Sequence, residues 1–323
     1  MTTTAHARPD RRIITAERSH PLLSVITWEV RRLRASRSTW LLALVFFALF
    51  LFTIWSDRGP STFLTHYASP TLSYGFSGNI PYISPARLSY QLHRSALLLL
   101  LLALPFLCAD GIARDLRRRT HELVMTTSIP TWAYVSGRYL IVLALSLGLG
   151  VEVLAAILVM GLALHLSVGG PEYTLPQVGP VFALWAALAL PTIVLISSAA
   201  FTLGTWLPRY AALVKVGVML GWFIWAMIFN AQVFWNRIPD WYINWDPSGA
   251  FLGSYYDASF AEQVSAAGTG PTRSQALLQS IFDTVQYQLP HFWSWLIPHL
   301  VWAAFGLALA VLASLTFKRF RNV

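Results

Sequence analysis

The chain has 323 residues, 56% of them hydrophobic and 11% charged, with a mean hydropathy of +0.55. A soluble domain carries about 25% charged residues, so this composition excludes an ordinary soluble globular protein and marks an integral membrane protein. The net charge of +9 would point to nucleic acid in a soluble chain; here it reflects basic segments that set orientation, and no nucleic-acid partner is expected.

The first 38 residues are polar and Arg-rich. Within them, "SHPLLSVITWEVRRLRAS" places Leu22, Val25, Ile26, Val30 and Leu33 on one helical stripe, opposite Ser24, Thr27, Arg31 and Arg34. Ser19 as cap and Pro21 in the first turn signal a helix start. The spacing predicts a basic amphipathic helix over about 20–36, lying in the membrane interface against lipid. The apolar run that follows ends in "SDRGPST" rather than a small-x-small cleavage site, which predicts a retained span and not a signal peptide.

A helix needs roughly 20 mostly apolar residues to cross the hydrocarbon core. Six stretches qualify: Thr39–Trp55, Ser95–Ile112, Arg138–Leu166, Val181–Thr205, Ala211–Phe234 and Phe292–Phe317. No alternation of period two runs through them, and lipid offers no partner to open backbone groups. The expected fold is therefore an all-α six-span transmembrane domain over 39–317, with an interfacial helix before it and a short tail, 318–323, after it. Six spans put both termini on one side. That side holds 18 basic residues and the other 5, which predicts cytoplasmic termini in a bacterial-type inner or plasma membrane.

On this topology the connection 113–137 is cytoplasmic, and a long loop, 235–291, lies outside between the fifth and sixth spans. The outer loop opens with aromatic-rich "FWNRIPDWYINWDPSGAFLGSYYD" and ends in a helix-like piece with Leu278, Ile281, Phe282, Val285 and Leu289 on one face. Such a piece packs on the outer ends of the bundle or forms a lid over an exit path; the pattern leaves both open.

Three features inside the spans carry possible function. Glu152 is the only acid deep in an apolar run, and an intramembrane carboxyl either lines a translocation path or ties helices together. Ser197, Ser198 and Thr202 are the partners offered to it. Gly217 and Gly221 form a GxxxG, a spacing suited to helix packing or to a dimer contact. Pro191 predicts a kink in the fourth span.

The cytoplasmic connection reads "DLRRRTHELVMTTSIP". Leucine, valine and methionine stand there on a water-facing segment that is otherwise rich in arginine. "HELVM" starts like the HExxH zinc motif, but position 125 is Met, so the second histidine ligand is missing. The other histidines are scattered singly, and no metal site is expected. No GxxxxGK[ST] occurs, and the only lysines are Lys215 and Lys318, so no P-loop on this chain can hold ATP.

The order Asp115, Thr120, Glu122, Leu123, Pro130, Gly137, Arg138 resembles the cytoplasmic loop of membrane permeases of the ABC-2 family, with Arg119 standing where that family often has glycine. The interfacial helix, six spans and cytoplasmic termini extend the resemblance over nearly the whole chain. It implies a type V exporter-like fold and a role as the permease of an ATP-driven exporter. It further implies a separate P-loop ATPase that binds ATP and Mg, and a second permease chain completing the pathway. Asp115, Arg119, Thr120, Glu122, Leu123, Val124 and Met125 then form the ATPase-coupling loop, and the chain itself has no catalytic residues and no cofactor. The alternative is a membrane-embedded enzyme or assembly factor on the same scaffold; a third reading is a channel or anchor without an ATPase.

Overall fold

A computed structural model describes residues 20–56, 96–117, 129–168, 175–232, 240–248 and 292–317, and among these the regular structure is entirely helical. Helix α1, Pro21–Ala35, starts on a proline whose missing N–H would be unbonded there in any case. His20 is its N-cap, one residue after the expected Ser19. The chain turns at Ser36, which is extended (φ −84°, ψ 109°), and re-enters a helix at once as α2, Arg37–Ser56. The indole of Trp40 pins this elbow by donating to the Arg34 carbonyl at 3.1 Å.

The second apolar stretch is broken. Helix α3, Ala96–Cys108, has 13 residues, about 20 Å at 1.5 Å per residue. Ala109 makes a turn and α4, Asp110–Arg117, continues as a separate amphipathic helix. Two causes meet at the break. Pro105 inside α3 lacks the N–H that would bond one turn back. Gly204, on a later helix, sits directly against the Ala109 backbone, where a Cβ would lie 2.8 Å from the Ala109 Cα.

Helix α5 is Thr131–Val168, so it begins seven residues before the expected third span and converts the end of the connection 113–137 into helix. Helix α6 is Val178–Trp206, followed by a 3₁₀ turn, Pro208–Tyr210, and α7, Ala211–Gln232. A short α8, Asp240–Trp245, precedes α9, Phe292–Thr316. Among the described residues five helices are long and apolar enough to cross a membrane: those at Arg37–Trp55, Thr131–Ser167, Val178–Trp206, Pro208–Ala226 and Phe292–Thr316. The stretch Leu99–Ala113 is apolar but shorter.

Helix α6 is the hub. It packs against α3, α4, α5, α7 and α9, whereas α1 and α2 lean mainly on α5 from outside. Burial follows this order: 72% of the apolar window of α6 is buried, against 11% for α2. Lipid tails are as apolar as leucine, so helices in a membrane are held by close packing and interhelical hydrogen bonds rather than by hydrophobic transfer. The crossings show both. Gly306 of α9 brings that helix onto α6, where a Cβ would lie 2.9 Å from the Leu195 Cα. Gly150 lets α5 and α6 approach at Ile193, and the Gly150 carbonyl accepts from Trp185 Nε1 at 2.8 Å.

Candidate functional site

Three buried charged side chains, Glu29, Asp115 and Arg138, meet at one end of α5. Tyr134 and Arg138 are four residues apart and share a face of that helix. Arg138 reaches in two directions. One guanidinium nitrogen, Nη2, donates to Asp115 Oδ2 on α4. The other, Nη1, lies 2.5 Å from Glu29 Oε1 on α1. The Tyr134 hydroxyl donates to the same Asp115 oxygen at 2.8 Å. Arg32 adds a longer contact to Glu29, 3.4 Å from Oε1, one turn along α1. Glu29, Asp115 and Arg138 are only 3%, 7% and 4% exposed, so little water screens the attraction between them.

Aromatic rings close the cluster. The Arg138 guanidinium carbon stands 5.4 Å from the centre of the Trp28 ring and 5.6 Å from that of Tyr134, both within cation–π range. Gly137 explains how α1 comes so near. A Cβ there would lie 2.7 Å from Val25 Cγ1, so a larger residue would push α1 outward and open the Glu29–Arg138 pair. The consecutive Gly137 and Arg138 thus do two jobs at adjacent positions, approach and clamp.

Helix α4 is fastened at both ends. Asp115 near its last turn holds Arg138, and Asp110 at its start accepts from Lys215 Nζ of α7 at 2.5 Å. Between them Ile112 and Ala113 are buried, with α6 and α5 as the neighbouring helices. The connection that follows is therefore rooted on a short strut joined to α1, α5, α6 and α7. Among the described residues no three His, Cys, Asp or Glu stand together as a metal site.

Asp115 belongs to this cluster; Arg119, Thr120, Glu122, Leu123, Val124 and Met125 lie outside the described residues. Glu29 escaped the sequence reading. The apolar stripe of α1 was expected to face lipid; instead Val25 of that stripe is buried together with the neighbouring Glu29 where α1 packs on α5, while Leu23 and Trp28, outside the stripe, are exposed. The signal was there as one acid in a run of arginines.

Glu152 is half-buried on α5, and its Oε2 is buried without a hydrogen-bond partner among the described residues. The offered partners are engaged elsewhere or stand apart. Ser197 Oγ donates to the Ile193 carbonyl and Ser198 Oγ to the Val194 carbonyl. Ser198 also shares a 2.7 Å hydrogen bond with the Tyr139 hydroxyl, and Thr202 Oγ1 has no hydrogen-bond partner among the described residues. The reason is register. Helices α5 and α6 run antiparallel, so Gly150 meets Ile193 while Tyr139 meets Ser198. Thirteen residues separate Tyr139 from Glu152, about 20 Å along the helix. Replacing Glu152 by Gln or by Leu should therefore leave the unfolding midpoint unchanged, because no interhelical bond worth about 0.6–2 kcal/mol is lost. A lower midpoint for Leu alone, read in detergent, would make it a structural tie.

At Gly217 and Gly221 a Cβ would meet nothing within 4 Å, so neither packs against another helix of the described chain. A second feature missed in the sequence is a buried turn at the far end of the bundle. The Asp246 carboxylate accepts from the Ser248 amide at 2.9 Å, from the Ser248 hydroxyl at 2.7 Å and from Trp225 Nε1 at 3.3 Å. Thr192 Oγ1 donates to the Pro247 carbonyl, and Trp302 Nε1 to that of Trp245, each at 2.9 Å. Asp-Pro-Ser is a turn signature, and this one enters between α6, α7 and α9 instead of staying in an outer loop. The chain matches no protein-family model, no curated protein and no solved structure.

Proposed function

We propose that the chain is the permease subunit of an ATP-driven exporter of the ABC-2 type, coupled through residues 113–137 to a separate P-loop ATPase. The observation that carries this reading is the convergence of Asp115, Gly137 and Arg138 with Glu29. A partner that pushes on a membrane bundle needs a protrusion whose base cannot yield, and both ends of the connection are fastened here to α1 and α5. In this reading α3 serves as the second of six membrane elements, both termini are cytoplasmic, and the outer segment 235–291 lies on the opposite side. The substrate pathway forms between two permease chains, with the open Gly217–Gly221 face of α7 available to the second copy. ATP and Mg belong to the partner subunit.

Leu123, Val124 and Met125 dock the ATPase by inserting apolar side chains into a groove of that subunit, with the surrounding arginines meeting acidic groups. The double variant Leu123→Asp/Met125→Asp should insert into the membrane normally and lose co-purification of the ATPase. Full retention of the ATPase by that variant would overturn the assignment of the loop.

A further inference from the structure

We propose that the elbow between α1 and α2 is a binding surface for an anionic phospholipid, with Arg31, Arg34 and Arg37 on its headgroup and the exposed face of α2 along its acyl chain. The inference rests on α2 crossing the membrane, which its length and apolar character support.

Between residues 20 and 56 the only acid is Glu29, and it is buried against Arg138 and Arg32. Arg31, Arg34 and Arg37 are all exposed. Their charge is therefore not neutralised by a carboxylate of their own helices. The elbow sets them together: α1 stops at Ala35, α2 starts at Arg37, and the Trp40 indole ties the first turn of α2 back to the Arg34 carbonyl.

Below the arginines the chemistry changes in the order of a lipid molecule. Trp40 is 62% exposed, Leu41 64%, Leu44 67% and Phe52 69%, and they descend α2 from the elbow. A guanidinium at headgroup level suits a phosphate, because it is weakly hydrated and presents several N–H donors in a rigid fork. An indole belongs at the interface, and exposed leucines belong among acyl chains. A protein partner would have to match both the charge and the long apolar face. A phospholipid with a net negative headgroup matches both by construction, and it is present wherever α2 is.

Each basic residue near an anionic surface strengthens attraction about fivefold, less where salt screens it. The full chain is reconstituted in nanodiscs of phosphatidylcholine with a minor share of phosphatidylglycerol, and the lipid kept through detergent extraction is weighed by native mass spectrometry. Wild type should retain phosphatidylglycerol over phosphatidylcholine, and Arg31→Gln/Arg34→Gln/Arg37→Gln should lower that preference about ten- to a hundredfold. Arg37→Gln alone, which leaves the orientation signal nearly intact, should lower it about fivefold. Arg209→Gln, removing an exposed charge on the 3₁₀ turn, should leave it unchanged.

Equal preference in wild type and the Arg37→Gln protein overturns the proposal. So does displacement of the lipid by an equal concentration of soluble glycerol 3-phosphate, which would mean a plain anion site. Flotation with liposomes separates this failure from a failure of the membrane reading, since a chain that does not float sinks both, whereas one that floats without preference sinks only the lipid surface.

Discussion

Arg138→Met should destabilise the protein by about 3–5 kcal/mol, the cost of leaving buried charge without its partner. Methionine fills much of the space of the arginine stem but takes the shared guanidinium away from Glu29 and Asp115, which stand at 3% and 7% exposure, while the longer Arg32 contact and the Tyr134 hydrogen bond remain. The two buried carboxylates then lack the charge that offset them both, and α1 loses its clamp to α5. The check is a denaturant or thermal unfolding curve in a fixed detergent. Adding Glu29→Gln and Asp115→Asn to Arg138→Met should recover most of the loss, because the penalty belongs to the uncompensated charge and not to the missing contact. If Arg138→Met unfolds like wild type, the three groups are not the anchor of the connection, and the argument for a coupling base falls with them.

The second large effect is expected at Gly204. The Cβ of Gly204→Ala would meet the carbonyl oxygen, Cα and carbonyl carbon of Ala109, all backbone. Backbone cannot rotate aside as a side chain can, so α6 must slide or the turn between α3 and α4 must open. A loss of at least about 2 kcal/mol is expected, toward the upper part of the range for overpacking. Gly148→Ala is the control, since a Cβ there meets nothing within 4 Å. Alanine favours helix over glycine by about 1 kcal/mol in host peptides, so Gly148→Ala should be neutral or slightly stabilised. The same chemical change is thus expected to act with opposite signs at two glycines, and equal midpoints for both variants would contradict the packing described.

The apolar stretches were legible because membrane thickness sets their length, and among the described residues five of them became helices long enough to cross, three with ends within three residues of those expected, the third starting seven residues early and the fifth ending eight residues short. What escaped depends on partners distant in sequence. The second stretch read as continuous because Asp110, near its end, is its only charge, yet the chain breaks at Ala109, where Pro105 within the helix and Gly204 of another helix meet. Glu29 went unnoticed because period alone cannot tell a lipid-facing side of α1 from one facing α5. Ser197 and Ser198 were offered to Glu152 because composition shows which residues are polar but not the register between antiparallel helices. The Arg138 cluster lay between these cases. The sequence marked Asp115 and Arg138 as notable, and only the fold brought them together with Glu29.

The pair between Asp110 and Lys215 turns the scarcity of lysine into a reporter. Lys215 and Lys318 are the only lysines in the chain, and the Lys215 side chain is 17% exposed with its amine held by Asp110. An acylating reagent must be attacked by the amine, and while the Lys215 amine is held against Asp110 in this partly buried position the reagent has little access to it. Slow acylation at Lys215 therefore records that α4 is seated against α7, and faster acylation records its release. Mass spectrometry of one peptide reads that position without any introduced label, giving a chemical clock for movement at the root of the connection in the unaltered protein.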